Sequence, residues 1–204
     1  MTDGCLVLVP LRSFTDPKTR LADVLTTDER IALATLLASS VLDALDGRRV
    51  AVVSDDPEVA AWSRGRAVEV FDPTQSDPTL RGLNPSVTAG RAFAAATGAT
   101  QVAVVHADLA EPATLGRRLD DATAPASRRT VSAVPDTDRD GTNVLVIPTD
   151  PAFRLAYGRG SFARHRAEAL RLGWPFVAVV DEALGWDVDT PDDLRRYRAG
   201  RRTA

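Results

Sequence analysis

Three features of this 204-residue sequence predict an α/β fold with a largely parallel sheet. Short β-branched apolar runs alternate with helix-patterned stretches through the first half, the pattern of parallel strands joined by right-handed crossovers. In the second half, two apolar runs at 130–134 and 143–147 have only a polar loop between them, so some antiparallel pairing is expected there. No repeat, low-complexity linker or shift in composition divides the chain, and one domain over residues 1–204 is the expected organisation.

The first strand is Cys5-Leu-Val-Leu-Val-Pro10, ended by Pro10 because proline brings no N–H to the ladder. Three cations follow within nine residues: Arg12, Lys18 and Arg20. A buried strand delivering cations to a sheet edge suits phosphate binding, although a solvated basic loop has the same composition. Thr26-Thr-Asp-Glu29 is a capping box, and Ile31, Ala34, Leu37, Val41 and Leu45 then share one helical face until Gly47. Val50 to Val53 is the second strand, and Ser54-Asp55-Asp56-Pro57 ends it. Those polar groups stand where open α/β sheets bind ligands, while Asp56-Pro57 also reads as a plain helix start. Val68 to Phe71 is the third strand, and the polar segment 72–81 is a surface loop.

Asn84 reads as the cap of a helix from about Pro85 to Thr97. Val102 to Val105 is the fourth strand, with His106-Ala-Asp108 as its outlet, and Pro112 to Ala122 is a polar helix. Strands at 130–134 and 143–147 flank Asp136-Thr-Asp138-Arg-Asp140-Gly141-Thr142. Tyr157-Gly-Arg-Gly-Ser161 turns into a helix over 162–172, and Phe176 to Val180 is the last strand. Gly185-Trp-Asp187-Val-Asp189-Thr190-Pro191 leads into the final helix, whose basic tail, Arg195 to Arg202, complements the helix dipole.

Composition removes several classes of function. The formal charge of −3 disfavours whole-molecule steering toward nucleic acid. One cysteine, Cys5, excludes an internal disulfide and a multi-cysteine zinc site, and reads as a small core residue. With no run of about 18 apolar residues and no secretion signal, neither a membrane span nor export is expected, and the expected location is cytoplasmic.

Three constellations carry chemistry. Asp187 and Asp189 lie two apart in an extended segment, so their carboxylates point the same way, and Asp108 leaves the sheet at another strand end. Together they suit magnesium, which prefers oxygen ligands. Helix capping explains Asp192 and Asp193, and Asp189 or Thr190 as the cap, but leaves Asp187 unexplained. Asp136, Asp138, Asp140 and Gly141 imitate the start of a calcium loop. The twelfth position is Ile147 rather than Glu and a strand follows, so calcium is rejected and the loop presents Gly141-Thr142-Asn143. Gly158-Arg159-Gly160-Ser161 ahead of a helix is a small anion cradle, with Arg159 and Arg164 beside it, although Ser161 also reads as an ordinary cap. His165, in a polar turn, reads as a surface histidine, and His106 as a neighbour of the metal site or a buried residue.

These residues together resemble the 2-phospho-L-lactate or phosphoenolpyruvate guanylyltransferases of deazaflavin coenzyme F-420 biosynthesis. The resemblance runs nearly end to end. It is carried by Lys18-Thr-Arg20-Leu-Ala22, Val53-Ser-Asp55-Asp-Pro57, Gly82-Leu-Asn84, Ala107-Asp108-Leu109, Gly141-Thr142-Asn143, Gly158 to His165 and Asp187-Val-Asp189-Thr-Pro191. It implies a nucleotidyltransferase domain with a Rossmann-like, mixed and mostly parallel sheet and helices on both faces. It implies Mg2+ on Asp108, Asp187 and Asp189, and GTP phosphates met by Arg12, Lys18 and Arg20, with Lys18 counted among the catalytic residues. GTP would lie over the N-terminal half, where Ser54, Asp55 and Asn84 are further candidate substrate-binding residues. Thr142, Gly158 and Ser161 would hold the phosphate and carboxylate of a small phosphorylated acid acceptor. The implied partners are GTP, that acceptor and a downstream deazaflavin-coupling transferase. Pro17 before the lysine, and His106 and Ala110 around Asp108, depart from the family's usual residues. The competing readings are another small-molecule nucleotidyltransferase, a glycosyltransferase using Asp187-Val-Asp189 for its metal, and a catalytically silent nucleotide-binding homologue.

Overall fold

The computed structural model describes residues 4–75, 77–123 and 129–201; Arg202 of the basic tail lies outside them. Among the described residues, seven strands form one sheet: β1 Cys5–Pro10, β2 Val50–Val53, β3 Glu69–Phe71, β4 Gln101–Val105, β5 Val131–Pro135, β6 Thr142–Pro148 and β7 Phe176–Ala178. Their order across the sheet is β3-β2-β1-β4-β6-β5-β7. Every neighbouring pair is parallel except those made by β6, which runs against both β4 and β5. The loop-only connection between β5 and β6 thus produces the antiparallel component expected from the sequence.

Alternation along the strands splits the core between two faces. Val7, Val9, Val52, Ala103 and Val105 pack toward α1 (Thr27–Asp43), α2 (Pro57–Gly65) and α4 (Leu115–Ala122). Leu6, Leu8, Val53, Val102 and Val104 pack toward α3 (Leu83–Ala96) and α5 (Ser161–Arg171). A third cluster joins Leu21, Leu25, Leu33 and Leu37 to Trp186, Val188 and, on α6 (Pro191–Arg201), Leu194 and Tyr197. It forms an apolar floor where the first loop and the last helix meet. Cys5 is buried in the core as expected, and burial pushes its thiol up to about 11. Among the described residues no helix is long and apolar enough to cross a membrane.

The local signals hold where one side chain decides them. Thr26 and Glu29 form the reciprocal capping box of α1, and Asp56 caps α2 through the Glu58 and Val59 amides, with Pro57 in the first turn. Two expectations need correction. The cap of α3 is Gly82, at φ 89, and Asn84 lies inside the helix. A left-handed backbone there suits glycine, so the chain enters the helix two residues earlier than the Asn-Pro signal suggests. The stretch 112–122 is a 3-10 turn, Pro112–Thr114, followed by α4, rather than one continuous helix.

Candidate active site

The first loop leaves β1 at Pro10 and is pinned at two points. Phe14 is buried edge-on against Trp62 of α2, with ring centroids 5.2 Å apart. Arg30, a buried arginine on α1, donates to the Pro17 carbonyl at 3.2 Å and pairs with Asp16 at 2.7 Å. Directly after this clamp Lys18 adopts a left-handed backbone, φ 52, rarely used by residues other than glycine. That turn carries its ammonium inward, 2.7 Å from Asp108 Oδ2 and 2.9 Å from Asp189 Oδ1.

The carboxylates are set side by side by a short antiparallel bridge between Leu109 and Asp187. Ala110 N–H donates to the Trp186 carbonyl at 2.9 Å, and Val188 N–H donates to the Asp108 carbonyl at 3.2 Å. Val188 points into the apolar floor, so Asp187 and Asp189 on either side of it face Asp108. Thr190 and Asp193 cap α6 reciprocally, Asp193 accepting from the Thr190 amide at 2.8 Å and Thr190 Oγ1 from the Asp193 amide at 3.3 Å. The cap is complete without the Asp189 carboxylate.

Oxygens of Asp108, Asp187 and Asp189 all lie within 4.8 Å of one another. Burial, with the charges of Asp108 and Asp189, pushes the Asp187 carboxyl up to about 7. Burial opposes ionisation of Asp108 as well, but the Lys18 ammonium beside it holds its carboxyl below the ordinary value. Burial would likewise lower Lys18, yet the two carboxylates hold it above the ordinary lysine value. Asp108 Oδ1 is buried without a hydrogen-bond partner. Three crowded carboxylates, one lysine and an orphaned oxygen fit a divalent cation, which takes hard oxygen ligands and would offset the surplus negative charge.

A second cluster lies against α5. The β5–β6 register shifts so that Val134 faces Val144 while Pro135 faces Thr142, leaving Asn143 as the extra residue of a bulge. Strict alternation would send Thr142 to the α1 face with Val144 and Val146. The bulge instead brings Thr142 Oγ1 to 3.1 Å from Ser161 Oγ and 3.1 Å from His165 Nδ1 on α5. Asn143 on the other side donates to the Leu184 carbonyl at 3.1 Å and reaches Asp187 at 3.4 Å. The preceding loop is tied by Asp136, which accepts from the Asp140 and Gly141 amides. A Cβ on Gly141 would come within 2.6 Å of Asp136 Oδ2, so any larger residue would push that carboxylate away from the Gly141 amide.

His165 corrects the expectation of a surface histidine: it is wholly buried. Burial first, then the charges of Arg164 and His106, lowers its pKa to about 4. Ser161 is the first residue of α5, after Gly160 at φ 72, and its hydroxyl turns to Thr142 instead of capping the helix. Asn84 is a strut between α3 and this loop, its amide oxygen accepting from Tyr157 N–H at 2.6 Å and its amide nitrogen donating to the Tyr157 carbonyl at 3.1 Å. Arg164 donates to the Ala156 and Tyr157 carbonyls, and Gly158 and Arg159 remain exposed.

The structure therefore brings Lys18, Asp108, Asp187 and Asp189 into one cluster, and Thr142 and Ser161 into another beside Gly158. Arg20 reaches the edge of the first cluster, 3.6 Å from Asp189, and is largely exposed. Arg12 and Asp55 are exposed, and Ser54 is buried, its hydroxyl accepting from the Asp56 amide at 3.2 Å. Sequence reasoning missed Arg30, whose signal was a cation beside Ile31 on an otherwise apolar helix face. Asn143 was expected within the presented Gly141-Thr142-Asn143 turn, but its reach to Asp187 comes from the bulge. The burial of His165 was readable from Phe162, Ala169 and Leu172, which share its helical stripe.

The guanylyl transferase CofC-like family model matches residues 5–197. A phosphoenolpyruvate guanylyltransferase of Sphaerobacter thermophilus is 35% identical over 194 residues, covering 93% of this chain and 90% of that protein. A 2-phospho-L-lactate guanylyltransferase of Natrialba magadii is 35% identical over 200 residues, covering 92% and 80%. Among solved structures, a nucleotidyl transferase from Methanothermobacter thermautotrophicus superposes with a TM-score of 0.66 at 18% identity, over 99% of this chain and 100% of that one. At that identity the likeness speaks for the fold alone, a nucleotidyltransferase architecture.

Proposed function

The chain belongs to the guanylyl transferase CofC-like family, and on that premise we propose that it joins GMP from GTP to a small phosphorylated three-carbon acid, phosphoenolpyruvate or 2-phospho-L-lactate. Pyrophosphate is the second product, and the reaction serves deazaflavin coenzyme F-420 biosynthesis. The protein is a nucleotidyltransferase enzyme, as its relatives are named. The observation that carries the reading is the placement of a carboxylate cluster and a hydroxyl cradle on adjoining segments, with Asn143 of the bulge reaching Asp187 and Thr142 reaching Ser161.

Asp108, Asp187 and Asp189 would hold Mg2+. Held by these carboxylates, such a cation would supply charge neutralisation for the triphosphate and pyrophosphate oxygens. Lys18, Arg20 and Arg12 supply further positive charge on the nucleotide side, and Ser54 and Asp55 flank the nucleotide at the end of β2. Thr142 and the Gly158 backbone hold the acceptor's anionic groups, and Ser161 completes the cradle by holding Thr142 through its hydroxyl. An oxygen of the acceptor phosphate attacks the α-phosphorus of GTP. The bond from that phosphorus to its bridging oxygen breaks, and the electron pair leaves with pyrophosphate. The attacking oxygen is already anionic, so no side chain has to remove a proton. Positioning and charge stabilisation are what the protein contributes. The product is an activated mixed anhydride, consumed in the cytoplasm by a deazaflavin-coupling transferase.

The test is pyrophosphate release with Mg2+, crossing GTP, ATP, CTP and UTP against the two acids, with the coupling transferase present to trap the product. Release with GTP and one of the acids is the expected result and names the acceptor. Folded protein that binds GTP but is silent with both acids would contradict the acceptor assignment. Failure to bind GTP would favour the catalytically silent homologue.

A further inference from the structure

We propose that His165 is a positioning residue for the acceptor, holding the Thr142 hydroxyl so that its hydrogen points into the cradle. The inference rests on the assignment of Thr142 to acceptor binding. Ala156 N–H lies 3.1 Å from His165 Nε2. A backbone amide can only donate, so Nε2 carries the lone pair. A neutral imidazole has one N–H, which must then be on Nδ1. Nδ1 lies 3.1 Å from Thr142 Oγ1 and donates to it. Burial keeps the ring in this neutral form.

The consequence falls on Thr142. Its hydroxyl cannot donate to His165, because the facing nitrogen is itself a donor. The Ser161 hydroxyl also donates to Thr142 Oγ1, at 3.1 Å. A hydroxyl has two acceptor sites and one hydrogen. With both acceptor sites filled, the hydrogen is left for a third direction, and an anionic ligand is the group able to use it. Opposite tautomer chemistry at His165 would draw that hydrogen into the protein and turn a lone pair toward the phosphate or carboxylate. The ring is fixed from the sides as well, with Tyr157 edge-on at 4.9 Å and Phe153 at 6.1 Å between centroids.

Two substitutions separate the two hydrogen bonds. In His165→Asn the amide nitrogen replaces Nδ1, keeping the donor to Thr142 and giving up the Ala156 contact. In His165→Gln the amide oxygen replaces Nε2, keeping the Ala156 contact and giving up the donor. Steady-state pyrophosphate release gives separate KM values for GTP and for the acid that turns over. The expected result is an acceptor KM raised about tenfold in His165→Gln, the size of one hydrogen bond to an anion, with the KM for GTP unchanged. His165→Asn should stay within about threefold of wild type for both substrates. Placing each change in a Thr142→Val background should abolish the difference between them. Equal acceptor KM values in the two variants, or equal losses on GTP and acceptor, overturn the inference while leaving the function intact. Wild-type protein silent with both acids overturns the acceptor assignment, and the inference with it.

Discussion

The carboxylate cluster crowds three acids around one ammonium and leaves Asp108 Oδ1 without a partner. In the Thr142–Ser161–His165 cradle, by contrast, each of the three polar side chains has a partner within the protein. The first arrangement is unfavourable until positive charge arrives, and the second is ordered beforehand. A cation site gains affinity from repulsion that the ion relieves, whereas a site for a small anion gains it from donors already oriented. Both kinds of site are fed by β6, whose bulge sends Asn143 to one and Thr142 to the other.

The largest effect is expected from removing one charge of the crowded cluster. Asp187→Asn should lower pyrophosphate release about a thousandfold, as loss of a metal ligand does when charge neutralisation drives the reaction. In metal-free buffer at about pH 8, where Asp187 is ionised, the same variant should melt at or above the wild-type temperature, because a repelling charge has gone. A clear fall in melting temperature would mean that Asp187 holds the fold and does not merely repel its neighbours.

A smaller effect separates the two regions by pH. His165, lowered from an ordinary 6.5 to about 4, is neutral in the folded protein while the unfolded chain takes up a proton. Its contribution is complete above pH 6.5 and is lost as pH falls toward 4. Asp187, raised from 3.8 to about 7, keeps its proton in the folded protein while the unfolded chain loses it. That contribution is complete below pH 3.8 and is lost as pH rises through 7. Across pH 4–6.5 the two oppose each other. Without metal, Asp187→Asn should make stability more acid-sensitive than wild type, by up to about 1.4 kcal/mol per pH unit, and His165→Asn should make it less so. Denaturant midpoints at several pH values measure both slopes, and slopes that move the same way in the two variants would undo the contrast.

The carboxylate cluster was more legible in the sequence than the cradle. Asp108 stands at a strand outlet and Asp187-Val-Asp189 alternates around an apolar residue, so strand periodicity turned Asp187 and Asp189 the same way and left only the Leu109–Asp187 bridge to bring Asp108 beside them. The cradle depends chiefly on tertiary events, although the apolar stripe of α5 pointed to its buried histidine. The bulge at Asn143 reverses the face of Thr142, and the docking of α5 buries a histidine flanked by Arg164 and Arg166. Asn84 obeyed neither its capping propensity nor a free polar role, because Gly82 opened the helix and Tyr157 took up both ends of its amide. The strands were readable from their apolar runs, yet the position of β6 between β4 and β5 is a tertiary fact that pattern left open.

The most direct measurement is anomalous diffraction from crystals grown with GTP and Mn2+, a divalent cation with an anomalous signal. The expected result is one peak bound by carboxylate oxygens of Asp108, Asp187 and Asp189, with the triphosphate alongside. A bound GTP whose cation lies away from all three carboxylates, with Lys18 still paired to Asp108 and Asp189, would contradict the central claim that this cluster is the metal centre of nucleotidyl transfer.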